Sequence, residues 1–298
     1  MSDSSERSPP QGTKSKGGLT TIQLMTQSIA LWVRNLKSYI IMVGMIVALL
    51  TLLEATVGFF LFQSFDATLI ADDIGSYLTL IANAALFPSS LGASYMLRTG
   101  ISLIFLLLGL VVSAIVTGSA IKFAFDDIRG ENPSIDASMA SSLGHLVPMV
   151  VVQIVIGAIS GIFLTPGLAL MAYGYANADS VLMVDGIIWF IVLGAVALVI
   201  TVRLVAAPVF IIARDKSVND SLNNSFELTK GHFWHVCFGW VLVILFITFI
   251  DFLITAVIPA PINIILDNLL LSPVMYIFYT VVYADLVLRP SVAEQEWW

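Results

Sequence analysis

Six long apolar runs fix the environment in which this chain can fold. They are Tyr39–Phe62, Ile101–Phe125, Val147–Tyr173, Gly186–Ile212, Val236–Val257 and Leu269–Leu288. Each reaches or exceeds the ~20 residues that a helix needs to cross ~30 Å of hydrocarbon. Lipid offers no partner to a backbone N–H or C=O, so each run must satisfy its own backbone, and a helix does so. The alternating pattern of barrel strands is absent from the sequence. The expected fold class is therefore all-α integral membrane, with six transmembrane helices. Charged residues make up 11% of the chain, against about 25% in a typical soluble domain. Little chain is left for a separate soluble unit.

The expected organisation is a disordered tail over 1–19, a membrane domain over 20–290 and a short tail over 291–298. The first tail is rich in Ser, Pro, Gly and Lys and cannot bury a core. Cys237 is the only cysteine, so no internal disulfide and no cysteine-rich metal site can form. The net charge of −7 does not suit nucleic acid as a partner. Lys and Arg cluster before the first run (Arg7, Lys14, Lys16, Arg34, Lys37), after the second (Arg129), after the fourth (Arg214, Lys216, Lys230) and after the sixth (Arg289), with Lys122 in the last turns of the second. Only Arg98 lies on the other side, beside Asp66, Asp72, Asp73, Asp179 and Asp267. Positive residues stay in the cytoplasm. Both termini are expected there, in the cell membrane.

Two of the connections share a pattern. One reads Ser134-Ile135-Asp136-Ala137-Ser138-Met139-Ala140-Ser141-Ser142, the other Ser217-Val218-Asn219-Asp220-Ser221-Leu222-Asn223-Asn224-Ser225. Each is followed by Gly-His, at Gly144-His145 and Gly231-His232. Ser217 with Asp220 three residues on has the form of a helix start. Val218, Leu222 and Phe226, like Ile135, Met139 and Leu143, fall on one helical stripe. These spacings predict amphipathic interfacial elbow helices over Ser134–Leu143 and Ser217–Thr229, lying in the membrane plane, with Gly144 and Gly231 as stops. Ile22, Met25, Ile29 and Trp32 make a third such stripe before the first run. An elbow followed by two spans, three times over, reads as an internal repeat. Chance recurrence in Ser-rich linkers is the other reading.

Four local signatures occur in order: Ala124-Phe125-Asp126-Asp127-Ile128-Arg129-Gly130-Glu131-Asn132-Pro133-Ser134, Val202-Arg203-Leu204-Val205-Ala206-Ala207-Pro208, Ser225-Phe226-Glu227-Leu228-Thr229-Lys230-Gly231-His232-Phe233-Trp234 and Tyr283-Ala284-Asp285-Leu286. Over about residues 20–290 this order resembles the membrane domain fused to some bacterial glycerophosphodiester phosphodiesterases. It is also similar to the stand-alone, uncharacterised six-span relatives of that domain. The resemblance implies a six-helix bundle and no catalysis, since in the fused members the hydrolase is a separate soluble barrel.

Arg203 is the sharpest single residue, a charge inside the fourth run. A buried Arg should face the bundle and pair. Asp285, Asp126 and Asp127 are the candidate partners, and a lipid phosphate is the competing one. Glu54, Asp185 and Asp251 form a candidate outer carboxylate cluster, able to hold a cation or relay protons. The plainer reading is an acidic face in headgroup water. His232-x-x-His235 with His145 has the spacing of a metal site, but no cysteine or nearby carboxylate completes it, and no metal or cofactor is expected. Gly157 and Gly161 form a small-xxx-small pair expected to meet a helix.

No nucleophile–base arrangement or phosphate-cradling loop is present. The favoured function is non-enzymatic: a membrane-organising, scaffold or accessory factor acting through its bundle and elbows. Its partners would be the bilayer and, at the cytoplasmic face, lipid headgroups or another membrane protein. The rival is a transporter or channel using a path near Arg203, Glu54 and Asp251. A lipid-modifying membrane enzyme comes third.

Overall fold

The computed structural model describes residues 18–62, 93–176, 179–258 and 262–288, and every regular element in them is helical. The elements are α1 (Thr21–Arg34), α2 (Leu36–Tyr39), a π-helical turn (Ile40–Gly44), α3 (Met45–Phe62), α4 (Ala93–Ile128), α5 (Ile135–Gly144), α6 (Leu146–Ala176), α7 (Ser180–Arg203), α8 (Ala207–Arg214), α9 (Val218–Leu228), α10 (Phe233–Val257), α11 (Ile262–Leu270) and α12 (Ser272–Leu288). The tails proposed for 1–19 and 291–298 lie outside the described residues, apart from Gly18 and Leu19.

Five segments are long and apolar enough to cross a membrane: Leu36–Leu53, Leu103–Ile128, Leu146–Tyr175, Ser180–Arg214 and Phe233–Val257. The sixth expected span is divided. Leu271 forms a turn between α11 and α12, leaving Ser272–Val287 as a shorter apolar helix. Pro273 accounts for the division. It has no N–H and its ring crowds the carbonyl four residues back, so a helix readily begins there and does not readily run through it.

Helices α1, α5 and α9 are the three elbows, and each begins at a β-region cap residue: Thr20, Ser134 and Ser217. The Thr20 hydroxyl accepts from the Gln23 N–H while the Gln23 side chain accepts from the Thr20 N–H. The Ser217 hydroxyl accepts from the Asp220 N–H at 3.2 Å. Gly231 adopts φ +82°, the left-handed form that closes a helix. Gly144 does not; it is the last residue of α5, and His145 follows as the cap.

The elbows do not lie flat and apart from the bundle. Each runs back along the end of an even-numbered span, α5 and α9 along the one before them and α1 along the last. The hydroxyl of Ser142, near the end of α5, reaches the Ile115 carbonyl inside α4. Ser225, near the end of α9, reaches Arg203 at the end of α7. Helix α1 starts beside Asp285 and passes Phe278, so it descends along α12. The lengths explain this. Helix α4 has 36 residues and Ser180–Arg214 has 35, about 50 Å each at the helical rise. That exceeds the ~30 Å hydrocarbon core, and the surplus turns are what the elbows cover.

The helix ends α4, α8 and α12 pack on one another at the centre, and the elbows surround them. Elbow α5 packs on α4, α9 on α8 and α6, and α1 on α12 and α10. Each elbow thus leans on the previous two-span unit, and the first leans on the last, closing a ring of three. The core follows the same plan: Ala114, Ile121 and Ala124 of α4, Val209 and Ile211 of α8, and Ile277, Phe278 and Val282 of α12 are fully buried.

Helices α6 and α7 form a tight hairpin. A methyl group at Gly167 would lie 2.5 Å from the Phe190 N, and one at Gly186 would lie 2.5 Å from the Met171 N. The expected Gly157/Gly161 contact is not the one used, since a methyl group at either meets nothing within 4 Å.

Candidate functional site at the elbow end

The three elbows bury the same register. Four residues past the cap stand Leu24, Ser138 and Ser221; eight past it stand Ser28, Ser142 and Ser225; all six are fully buried. Sequence reasoning gave a role only to the cap serine Ser217 and missed this one. Its signal was present as two serines four apart, in step in both copies. Ser142 donates to the Ile115 carbonyl at 2.8 Å, which also accepts from Ser119 at 2.7 Å. Gly118 allows the approach, because a methyl group there would collide with the Ser142 hydroxyl.

Ser225 completes a broken span. Pro208 has no N–H and crowds the Leu204 carbonyl, so the chain turns over Leu204, Val205 and Ala206. The Ala207 N–H bonds to Leu204 instead of Arg203. The Ser225 hydroxyl donates to the freed Arg203 carbonyl at 2.8 Å and accepts from the Ala206 N–H at 3.1 Å.

Arg203 does not pair with Asp285, Asp126 or Asp127. It is the last residue of α7, at a helix C-terminus that favours a cation. Its guanidinium lies 4.8 Å from the centre of the Phe226 ring on α9. The expected pairing assumed one unbroken helix with Arg203 deep inside it. The break at Leu204–Ala206 puts Arg203 where α9 ends.

The three carboxylates are held elsewhere. Asp126 accepts from Lys122 at 2.7 Å. Asp127 accepts from Arg34 at 2.5 Å and from Asn35 at 2.6 Å. Asp285, 4% exposed, accepts from the Leu19 N–H at 2.6 Å and lies 3.2 Å from His235 Nε2. His145 Nε2 lies 3.0 Å from Asp215. In each unit, then, a carboxylate ending the second span holds the start of the first: Asp127 with Asn35, Asp215 with His145, Asp285 with His235. The histidines are consequently not gathered; His235 Nδ1 meets Thr21 and His145 Nδ1 meets the Ser141 carbonyl. Among the described residues no three His, Cys, Asp or Glu are placed to hold a metal ion.

Where α4, α8 and α12 end, they frame a half-open cavity of about 370 Å³. Phe125, Ile128 and Val287 give it apolar walls, and Arg129, Arg214 and Tyr283 give it polar ones. Sequence reasoning missed it because its residues come from three distant segments.

At the opposite end, Asp251 does not meet Asp185, which lies on α7. The side chain of Glu54 lies outside the described residues. Asp251 instead lies beside Asp267, a residue sequence reasoning placed only on the acidic face. The Asp267 Oδ1 is buried without a partner, and Thr255 and Asn263 extend the polar patch.

A family model described as the membrane domain of glycerophosphoryl diester phosphodiesterase matches residues 178–290. Three of the four signatures lie inside that stretch: Val202–Pro208, Ser225–Trp234 and Tyr283–Leu286. The match spans α7 to α12, the part of the chain holding the Ser225 and Asp285 contacts. No curated protein and no solved structure matches the chain.

Proposed function

We propose that this chain is a non-enzymatic membrane-organising or accessory protein of the cell membrane, working from its elbow end with both termini in the cytoplasm. The observation that carries the reading is the ring: three elbow helices gathered at one end around three spans. The elbow serines there are spent on structure. Apolar side chains remain outward, with Leu143 and Phe226, each nine residues past its cap, 53% and 42% exposed. Such side chains suit the acyl–headgroup boundary or another membrane protein. The experiment is reconstitution into vesicles. The full chain should change vesicle size and shape in electron micrographs, and L222D with F226D should abolish that change. Proton and dye permeability should stay at the protein-free level.

The rival reading, transport, is favoured by one observation, the Asp251–Asp267 pair. A proton leak in those vesicles that disappears in D251N would replace the scaffold reading with it.

A further inference from the structure

We propose that the cavity between the ends of α4, α8 and α12 is a receptor site for a phosphate group carrying an organic substituent. The inference goes beyond the scaffold reading and stands without it.

The walls supply two guanidiniums from different segments, Arg129 in the turn after α4 and Arg214 at the end of α8. Arg214 is fixed before any ligand arrives: its Nε donates to the Tyr283 hydroxyl at 2.8 Å. Tyr283 is itself 2% exposed, edge-on to Phe210 at 5.0 Å and tilted against Phe125 at 6.1 Å. Held through Nε, Arg214 has both terminal nitrogens without an acceptor among the described residues. Two such N–H groups in one plane fit two oxygens of a phosphate, a match Lys cannot reproduce. Arg129 lies 5.4 Å from the Phe125 ring centre and touches Glu131 at 3.3 Å, with both side chains half-exposed. A solvent-exposed pair of that kind contributes little and yields readily to a better acceptor. Helix C-termini explain why cations are favoured at this end. They do not explain why Arg214 is tethered to a buried phenol with its fork left over.

The apolar walls define the rest of the ligand. Inorganic phosphate would leave Phe125, Ile128 and Val287 facing water. A phosphate ester of glycerol size fits about 370 Å³; a whole phospholipid does not, and would offer only its headgroup. Basic pockets between membrane helices take anionic headgroups in this manner. The shared chemistry is a phosphate ester, whether borne by a lipid or free in water.

The test uses the full chain in nanodiscs of phosphatidylcholine, with phosphatidate added as the lipid probe and glycerol phosphate as the soluble one. Binding is read from the rise in thermal midpoint on titration. R214Q and R129Q should each weaken binding roughly tenfold, the effect of losing a charge-assisted hydrogen bond. Y283F, which keeps both charges and frees Arg214, should weaken it by a smaller factor. Response to phosphatidate alone assigns a lipid headgroup; competition by glycerol phosphate assigns a soluble ester. If R214Q does not fold, R129Q decides, since that half-exposed side chain makes only a ring contact and an exposed pair. Equal response of parent and R129Q to both probes, or no response of the parent to either, overturns the proposal.

Discussion

The elbow serines differ in what their hydroxyls replace, and this separates their energetics. Ser225 satisfies the Ala206 N–H that a break in the backbone has orphaned and makes the shorter of two bonds to the freed Arg203 carbonyl, which the Thr229 hydroxyl reaches at 3.4 Å. Ser142 adds a bond to a carbonyl that already accepts from Ser119. Leaving buried backbone groups without partners costs about 1–3 kcal/mol, while an ordinary hydrogen bond contributes ~1 kcal/mol net. S225A should therefore lower stability in detergent by ~2 kcal/mol, and S142A by less than half as much. Equal shifts in thermal midpoint would contradict the orphan account. Arg203 gives a second test. Its contact is a ring, not a carboxylate, and cation–π contacts contribute ~0.5–2 kcal/mol. R203M should cost an amount in that range, and D285N should not recover it in the double variant. Recovery would restore the ion pair that the sequence suggested. Arg203 was legible as an exceptional residue. Its partner was not, because Pro208 decides the local path and the elbow decides what fills it.

At the scale of elements, hydrophobic run length made the spans legible, and the capping residues made the elbows legible to within a residue or two. Run length alone did not show that α4 and the α7–α8 segment outlast the bilayer, although Lys122, Asp126 and Asp127 in the last turns of α4 and Arg203 and Arg214 in the other segment mark the surplus. Nor could spacing alone identify the close helix pair. Gly157 and Gly161 have the small-xxx-small form, but the contact of α6 with α7 runs through Gly167, Gly174 and Gly186, where a methyl group would meet backbone within 2.5–2.7 Å. Backbone cannot step aside as a side-chain tip can, and overpacking costs ~1–3 kcal/mol. G186A should fall in that range, while G157A and G161A should change the thermal midpoint little. A destabilising G161A beside a neutral G186A would mean that the hairpin packs on its other face.

At the scale of the whole molecule, the chain is closed by its first elbow. Helices α5 and α9 lean on units immediately before them, which sequence order alone suggests. Helix α1 follows no described span and leans on α12 instead, across more than 250 positions of sequence; the Leu19–Asp285 bond spans 266. No local pattern announces such a contact, which is why the ring stayed hidden while its three members were readable. The closure depends on Asp285, which is 4% exposed and accepts the Leu19 N–H at the start of α1. Asp215 occupies the corresponding place in the second unit, but its side chain is 91% exposed against His145. A hydrogen bond to a buried charged group contributes ~1.5–3 kcal/mol, and an exposed ion pair ~0–1 kcal/mol. D285A should thus lower stability by ~2–3 kcal/mol and expose α1 to protease within residues 18–34, with the α6–α7 hairpin still resistant. D215A should do neither. If D285A leaves α1 as protected as in the parent, the apolar contacts of Leu24 with Gly239 and Phe278 hold the ring closed unaided, and the carboxylate serves only its own unit through His235.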